Sequence, residues 1–281
     1  MCFILMEHIV ISSAGPNGLI QLGMLAALME SAYFSIDTIQ SISGSSAGSM
    51  LAVLLCLKVP IQDVVDYFIK RPLHKWFKTD LSQFMQTNGI ATCTLADLVT
   101  PLFHLQDIPL TITMKELYER SGIHLHIYST RIAKVECVDI DHLSFPDLPV
   151  IQAITMSCAI PLLFPPIEYN GDYYIDGGLF MHCPVAPNEK TIVLNIKNTS
   201  TLNMENPFHM MNHIFIQSTK RLSPPITIGK LFQYGTEKHG LVPELWEKML
   251  MEESFRAETI QRGKDHATEL LKIEMQNTST S

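Results

Sequence analysis

Positive charge is in short supply in this sequence. Lys and Arg number 20 against 28 Asp and Glu, a formal charge of -8 that repels phosphate backbones and argues against nucleic acid as a partner. Cysteine is sparse too: the six (Cys2, Cys56, Cys93, Cys137, Cys158, Cys183) form no CxxC pair and no short scaffold spacing. Free thiols in a reducing compartment, the cytosol, are therefore expected. Long apolar runs are missing, since the longest near Ser46, Met50 to Leu57, falls far short of a membrane span. Met1 to Glu7 lacks the basic flank and cleavage site of a signal peptide. A cytoplasmic protein that touches membranes only peripherally is expected. What the chain has instead is 47% hydrophobic residues with only 17% charged, enough for a well-filled core.

His8 to Ser12 is an apolar run ending in the turn-rich Ser13-Ala14-Gly15-Pro16-Asn17-Gly18, a buried strand feeding a loop. Leu19, Leu22, Leu25, Ala26 and Met29 then recur at helical spacing, so a helix is expected from Leu19 to Glu30. The order repeats with a strand over Thr38 to Ile42, a sharp turn at Gly44 to Gly48, and a helix from Ser49 to Leu57 stopped at Pro60. This alternation argues for an α/β fold with a mainly parallel central sheet covered by helices. Further strands are expected at His124 to Tyr128 and Thr191 to Ile196, and helices at Met114 to Arg120, Val150 to Thr155 and Phe208 to Lys220. Glu244 to Met275 reads as amphipathic helix broken near Gly263. With no repeat and no linker-like tract, residues 1–281 are expected to form a single domain. Within it, 7–197 would be the core, 198–281 a mainly helical remainder, and 276–281 a disordered tail.

Gly44-Ser45-Ser46-Ala47-Gly48 has the Gly-x-Ser-x-Gly form that sets a serine on a tight strand-to-helix turn. The following helix would aim its N-terminal N–H groups and positive dipole end at a developing anion. The loop from Ser13 to Gly18 should converge on it, because both leave the C-terminal ends of neighbouring strands. Pro16 and the lack of Lys argue against a nucleotide-phosphate loop there. Asp176-Gly177-Gly178 follows the apolar Tyr173-Tyr174-Ile175, delivering a carboxylate onto a glycine turn. Such a carboxylate can serve Ser46 as a base if burial raises its pKa.

These motifs, in this order, resemble those of the patatin-like phospholipases. The connecting segments Thr113-Met114-Lys115-Glu116-Leu117-Tyr118 and Ser157-Cys158-Ala159-Ile160-Pro161, then Phe164-Pro165-Pro166, agree with it, and the likeness covers roughly residues 7–197. The resemblance implies a three-layer α/β/α fold and a dyad of Ser46 (nucleophile) and Asp176 (general base) without histidine. It also implies cofactor-free, calcium-independent hydrolysis of fatty-acyl esters in phospholipids or related lipids. Ala14 and Gly15 would supply the oxyanion N–H groups. Two departures stand out: Ser13 and Ala14 replace the first two glycines of the family's loop and Asn17 its basic residue, while His182 replaces an Asn after Asp-Gly-Gly.

Rival readings are an α/β-hydrolase whose triad would add His209, His213 or His239, an acyl-carrier-dependent acyltransferase with a histidine base, and a lipid-binding pseudoenzyme. Only 45 residues precede Ser46, fewer than the first of these folds normally spends before its nucleophile. Phe68 to Lys78 gathers four basic residues (Lys70, Arg71, Lys75, Lys78) and three aromatics, Trp76 and Phe77 among them. That composition fits a membrane-docking patch, but an amphipathic segment packed on the domain with its charges solvated is the more ordinary reading.

Overall fold

The computed structural model of the chain describes residues 5–199, 221–237 and 242–279, together with His213 and Gln217. Eight strands make one sheet: β1 (His8–Ile11), β2 (Ser41–Ser45), β3 (His124–Arg131), β4 (Glu136–Ile140), β5 (Ile167–Tyr169), β6 (Asp172–Asp176), β7 (Thr191–Asn198) and β8 (Lys230–Thr236). The flanking helices are α1 (Gly18–Glu30), α2 (Ala47–Cys56), α3 (Ile61–Lys70), α4 (Phe84–Thr87), α5 (Thr100–Leu105), α6 (Met114–Ser121), α7 (Val150–Ser157), α8 (Pro243–Met251) and α9 (Glu253–Ser279). The architecture is the three-layer α/β/α arrangement expected from the sequence.

β3, β2, β1, β7 and β8 lie side by side and parallel. The inner strands of such a sheet are covered on both faces, which suits continuous apolar runs. Accordingly Ile9, Val10 and Ile11 of β1 and Ile192, Val193 and Leu194 of β7 are all buried. Ile11 pairs with Gly44 of β2 and Leu194 of β7, so the loop after β1 and the turn after β2 leave the same edge of the sheet.

The other side of β3 departs from a purely parallel plan. β4 runs antiparallel along one edge of β3, from Ile127 to Arg131. On the opposite edge β2 pairs with His124 to Tyr128, and the antiparallel β6 takes over at Ser129 to Arg131. β6 thus meets β2 nearly end to end. Ser45 faces Tyr128 while Asp176 faces Ser129, the next residue along β3.

Three boundaries differ from the sequence expectation. The second strand begins at Ser41, because Ile36–Thr38 forms a short turn whose Asp37 N–H is capped by Ser35; Gly44 and Ser45 end that strand. The C-terminal helical stretch breaks at the extended Glu252, not at Gly263. Gly263 lies inside α9, where a side chain would collide with the Ile20 carbonyl of α1, just as one at Gly23 would strike the Ile260 carbonyl. Two glycines let these helices touch backbone to backbone, which offsets the ~1 kcal/mol that glycine costs a helix interior. β8 adds a strand to the part of the chain expected to be mainly helical, at residues for which no element was expected. The expected helix over Phe208 to Lys220 falls, but for His213 and Gln217, outside the described residues.

Candidate active site

Ser46 is the first residue after β2 and immediately precedes α2, with φ 53° and ψ -126°. That conformation costs a non-glycine residue about 1–3 kcal/mol, so its surroundings must impose it. They do so through close backbone approach. A side chain at Gly44 would lie 2.6 Å from the Gly48 carbonyl oxygen, and one at Gly48 would strike the Ile11 carbonyl of β1. The Ser46 N–H donates to Ser157 Oγ at 2.9 Å, and that hydroxyl donates to the Tyr128 carbonyl at 2.6 Å.

Ser46 Oγ donates to Asp176 Oδ2 at 2.6 Å, a short bond of the hydroxyl-to-carboxylate kind. The other carboxylate oxygen accepts the Gly178 N–H at 2.7 Å. Asp176 is held from behind as well: its N–H donates to the Ala159 carbonyl, and Thr130 Oγ1 donates to its carbonyl, each at 2.9 Å. Both side chains are nearly sealed, with Ser46 3% and Asp176 2% exposed. Burial drives the Asp176 pKa up to about 6, against the hydrogen bonds from Ser46 and Gly178, which favour the carboxylate. Burial thus brings the carboxyl toward the neutral range.

The loop after β1 packs on this pair. A Cβ at Gly18 would come within 3.1 Å of Ala47 Cβ, so the start of α1 abuts the start of α2. Gly15 has a positive φ of 55°, and Gln21 reaches back to donate to the Ser12 carbonyl at 2.9 Å. Ala14 and Gly15, the expected oxyanion donors, therefore sit in a loop anchored from both ends. Sequence reasoning missed Ser157. It stood in a quoted motif, but nothing in a linear pattern says that its hydroxyl would take the N–H of Ser46.

Beside the pair lies an apolar crevice of about 490 Å³, open mouth included, lined by Gly15, Ala47, Met50, Phe68, Trp246 and Met249 among others. A second, more polar cleft of about 680 Å³, including its mouth, borders Cys158 and Ala159, whose carbonyl accepts the Asp176 N–H. Trp246 and Met249 come from α8, anchored by the buried Arg256, which donates to the carbonyls of Phe68, Ile69, Arg71 and Met249.

The basic-aromatic segment is not built as a patch of outward-facing rings. Phe77 stacks on Trp246 with centroids 5.8 Å apart and meets Phe164 edge-on at 6.1 Å; Trp76 leans on Phe77. Lys70 pairs with Asp66 at 2.6 Å, and Arg71 lies over the Tyr67 ring. Lys75 and Lys78 are exposed, followed by the strongly exposed Leu81 (78%) and Met85 (87%). Of the histidines weighed for a triad, His209 and His239 lie outside the described residues, and the Oγ of Ser46 is already engaged by Asp176. Among the described residues no group of three or more His, Cys, Asp or Glu is arranged to hold a metal ion, and no helix is long and apolar enough to cross a membrane.

Comparison with known proteins finds relatives by sequence and by fold. A probable lipid hydrolase, 463L, of Invertebrate iridescent virus 6 is 24% identical over 262 residues, covering 84% of this chain and 88% of that protein. Patatin-like phospholipase domain-containing protein 2 of Mus musculus is 28% identical over 196 residues, 67% of this chain but only 36% of the mouse protein's length. The crystal structure of VipD from Legionella pneumophila superposes with a TM-score of 0.56 at 17% identity over 95% of this chain and 67% of VipD, a likeness of fold. The profile of the Patatin-like phospholipase family matches residues 9–188, a span that takes in the Ser13 loop, the Ser46 turn and Asp176. The chain belongs to the patatin-like phospholipase family.

Proposed function

We propose that the chain is a lipid acyl hydrolase of the phospholipase A or lysophospholipase type, working through a Ser46–Asp176 dyad and an acyl-enzyme. The observation that carries this reading is the 2.6 Å bond from Ser46 Oγ to a buried carboxylate with no histidine between them. Asp176 takes the proton from Ser46 as Oγ attacks the ester carbonyl. The resulting oxyanion is held by the N–H groups of Ala14 and Gly15, with the N-terminal end of α2 adding positive potential. Collapse expels the alcohol, which leaves with the proton from Asp176. The ionised Asp176 then takes a proton from water as its oxygen attacks the acyl-enzyme, and returns that proton to Ser46 Oγ as the fatty acid leaves.

A base is most effective with its pKa near the working pH, and burial moves Asp176 in that direction. The apolar crevice beside Gly15 and Ala47 suits an acyl chain. The steps above use a carboxylate and backbone N–H groups alone, which favours calcium-independent turnover without a cofactor. The substrate would be met by a cytoplasmic protein at a lipid surface. Lys75 and Lys78, with Leu81 and Met85, offer cation and apolar tips there in place of the inward-turned Trp76 and Phe77.

Turnover of phospholipid, lysophospholipid and neutral glyceride panels, with and without a chelator, tests the reading. Ser46→Ala and Asp176→Asn should each abolish it. A fluorophosphonate adduct on Ser46 without any ester turnover would instead favour a lipid-binding pseudoenzyme.

A further inference from the structure

The loop that would hold the oxyanion and the loop that carries Asp176 are joined by a pair of residues that the reaction itself leaves unused. The Ser13 N–H donates to the His182 carbonyl at 2.6 Å, and Ser13 Oγ lies 2.6 Å from His182 Nδ1. On the far side of the ring, His182 Nε2 lies 2.9 Å from the Ile196 carbonyl oxygen. A carbonyl can only accept, so Nε2 carries the proton and Nδ1 is the bare acceptor. The hydrogen of Ser13 therefore points at His182. Burial keeps the ring neutral, lowering its pKa, so this tautomer persists.

The pair is itself locked in place. Ser223 Oγ accepts the His182 N–H at 2.8 Å and donates to the Phe180 carbonyl. Ser12 Oγ accepts the Ile196 N–H at 3.0 Å and donates to the Ser13 carbonyl, so the strand that receives His182 also grips the residue before Ser13. The neighbourhood is tight: a Cβ on Gly178 would meet Ser13 Oγ at 2.8 Å and Asp176 Oδ1 at 2.9 Å. Ser13 thus stands between the carboxylate and the two N–H groups that follow it in the chain. Ser13 and His182 are both among the residues at which the sequence departs from the motif it resembles, and they touch each other.

We propose that Ser13 and His182 act together as positioning residues, a two-bond clasp that fixes the Ala14 and Gly15 N–H groups relative to Ser46 and Asp176. The inference rests on the hydrolase reading above. A loop in register with the dyad presents its donors already aimed; without the clasp, residues 13–15 would sample orientations in which one or both donors miss the developing charge. Neither side chain touches the reacting atoms, so the effect is on kcat and leaves substrate affinity alone.

The test is steady-state hydrolysis of a water-soluble p-nitrophenyl ester by wild type, Ser13→Ala, His182→Asn and the double variant, with melting temperatures recorded alongside. Removing a whole oxyanion donor costs ~10²–10³ in kcat, so mis-aiming one should cost about tenfold or more, with KM within about twofold. Because the two residues act as one unit, the double variant should be no slower than the worse single one. Wild-type kcat in Ser13→Ala, losses that multiply, or lowered melting temperatures with kcat per folded molecule unchanged would each overturn the clasp. If His182→Asn does not fold, Ser13→Ala, which deletes one oxygen, still decides. An inactive wild type would count against the hydrolase reading and not against the clasp, whose loop contact would then be read from the protection of the Ala14 and Gly15 amides from exchange in wild type and Ser13→Ala. Equal protection in the two would overturn it.

Discussion

Replacing Asp176 with asparagine should stabilise the protein at alkaline pH, and the size of the effect follows from its burial. The carboxyl sits at a pKa of about 6 in the folded chain, against a reference of 3.8. That elevation corresponds to on the order of 3 kcal/mol, at 1.36 kcal/mol for each pKa unit. The sign follows from linkage: a raised folded pKa means that the folded state holds this proton more tightly than the unfolded chain does. The group's favourable contribution is complete below about pH 3.8 and is lost as pH rises through about 6. At pH 8 the wild type thus carries a buried charge that Asp176→Asn lacks. Asparagine can still accept from Gly178 and donate to Ser46, so the two proteins otherwise keep the same contacts. Thermal unfolding of both across pH 4.5–8.5 should show the variant's melting temperature pulling ahead as pH rises, by about 5 °C or more at pH 8. The buried His182 works in the opposite sense, losing stability as pH falls below its reference of 6.5, but both proteins share it and subtraction removes it. A gap that is flat with pH, or that widens toward acid, would refute the reasoning.

Activity should follow the same titration. The acid limb of kcat/KM for a neutral ester should fall off near pH 6, since only the ionised Asp176 can accept the Ser46 proton; a limb near pH 4 would mean the carboxyl is not buried in the working state. Gly263→Ala should lower the melting temperature well beyond the usual gain of a helical glycine-to-alanine change, because its methyl would collide with the Ile20 carbonyl; an unchanged or raised value would mean α9 does not lie on α1 at this point. Leu81→Ser combined with Met85→Ser should weaken binding to anionic phospholipid vesicles severalfold and leave p-nitrophenyl ester turnover intact, whereas Trp76→Ala should act mainly by destabilising the fold. Vesicle binding that is unaffected by the first pair and abolished by Lys70→Gln would return the docking surface to α3.

Much of this arrangement could be read from the sequence because glycine and proline positions carry geometric meaning. Gly44 and Gly48 are legible at a distance: a serine with φ 53° can be held between two elements only if its flanks have no side chains to collide. The apolar run of β1 likewise marks an inner strand of a parallel sheet. What the sequence hides is pairing between distant elements. β6 lies end to end with β2 along β3, which no local pattern records, although this is what sets Asp176 one step from Ser46. Gly263 looks like a helix breaker because its partner, Ile20, lies far away in the chain. Trp76 and Phe77, beside lysines, look like an interfacial belt until Trp246 and Phe164 supply the aromatic partners that turn Phe77 inward. Ser13 and His182 stand out in the sequence only as separate departures from a motif, and their 2.6 Å contact is visible only in three dimensions.

In the proposed reaction Ser46 carries the acyl group and Asp176 alone serves as its base. Rapid-quench mass spectrometry with a slowly deacylating ester, run on wild type and on Asp176→Asn, tests it most directly. An acyl adduct should form on the peptide bearing Ser46 in the wild type, and none should form at a comparable rate in the variant. Substantial adduct formation and turnover in Asp176→Asn, or an acyl group carried on any residue other than Ser46, would contradict it.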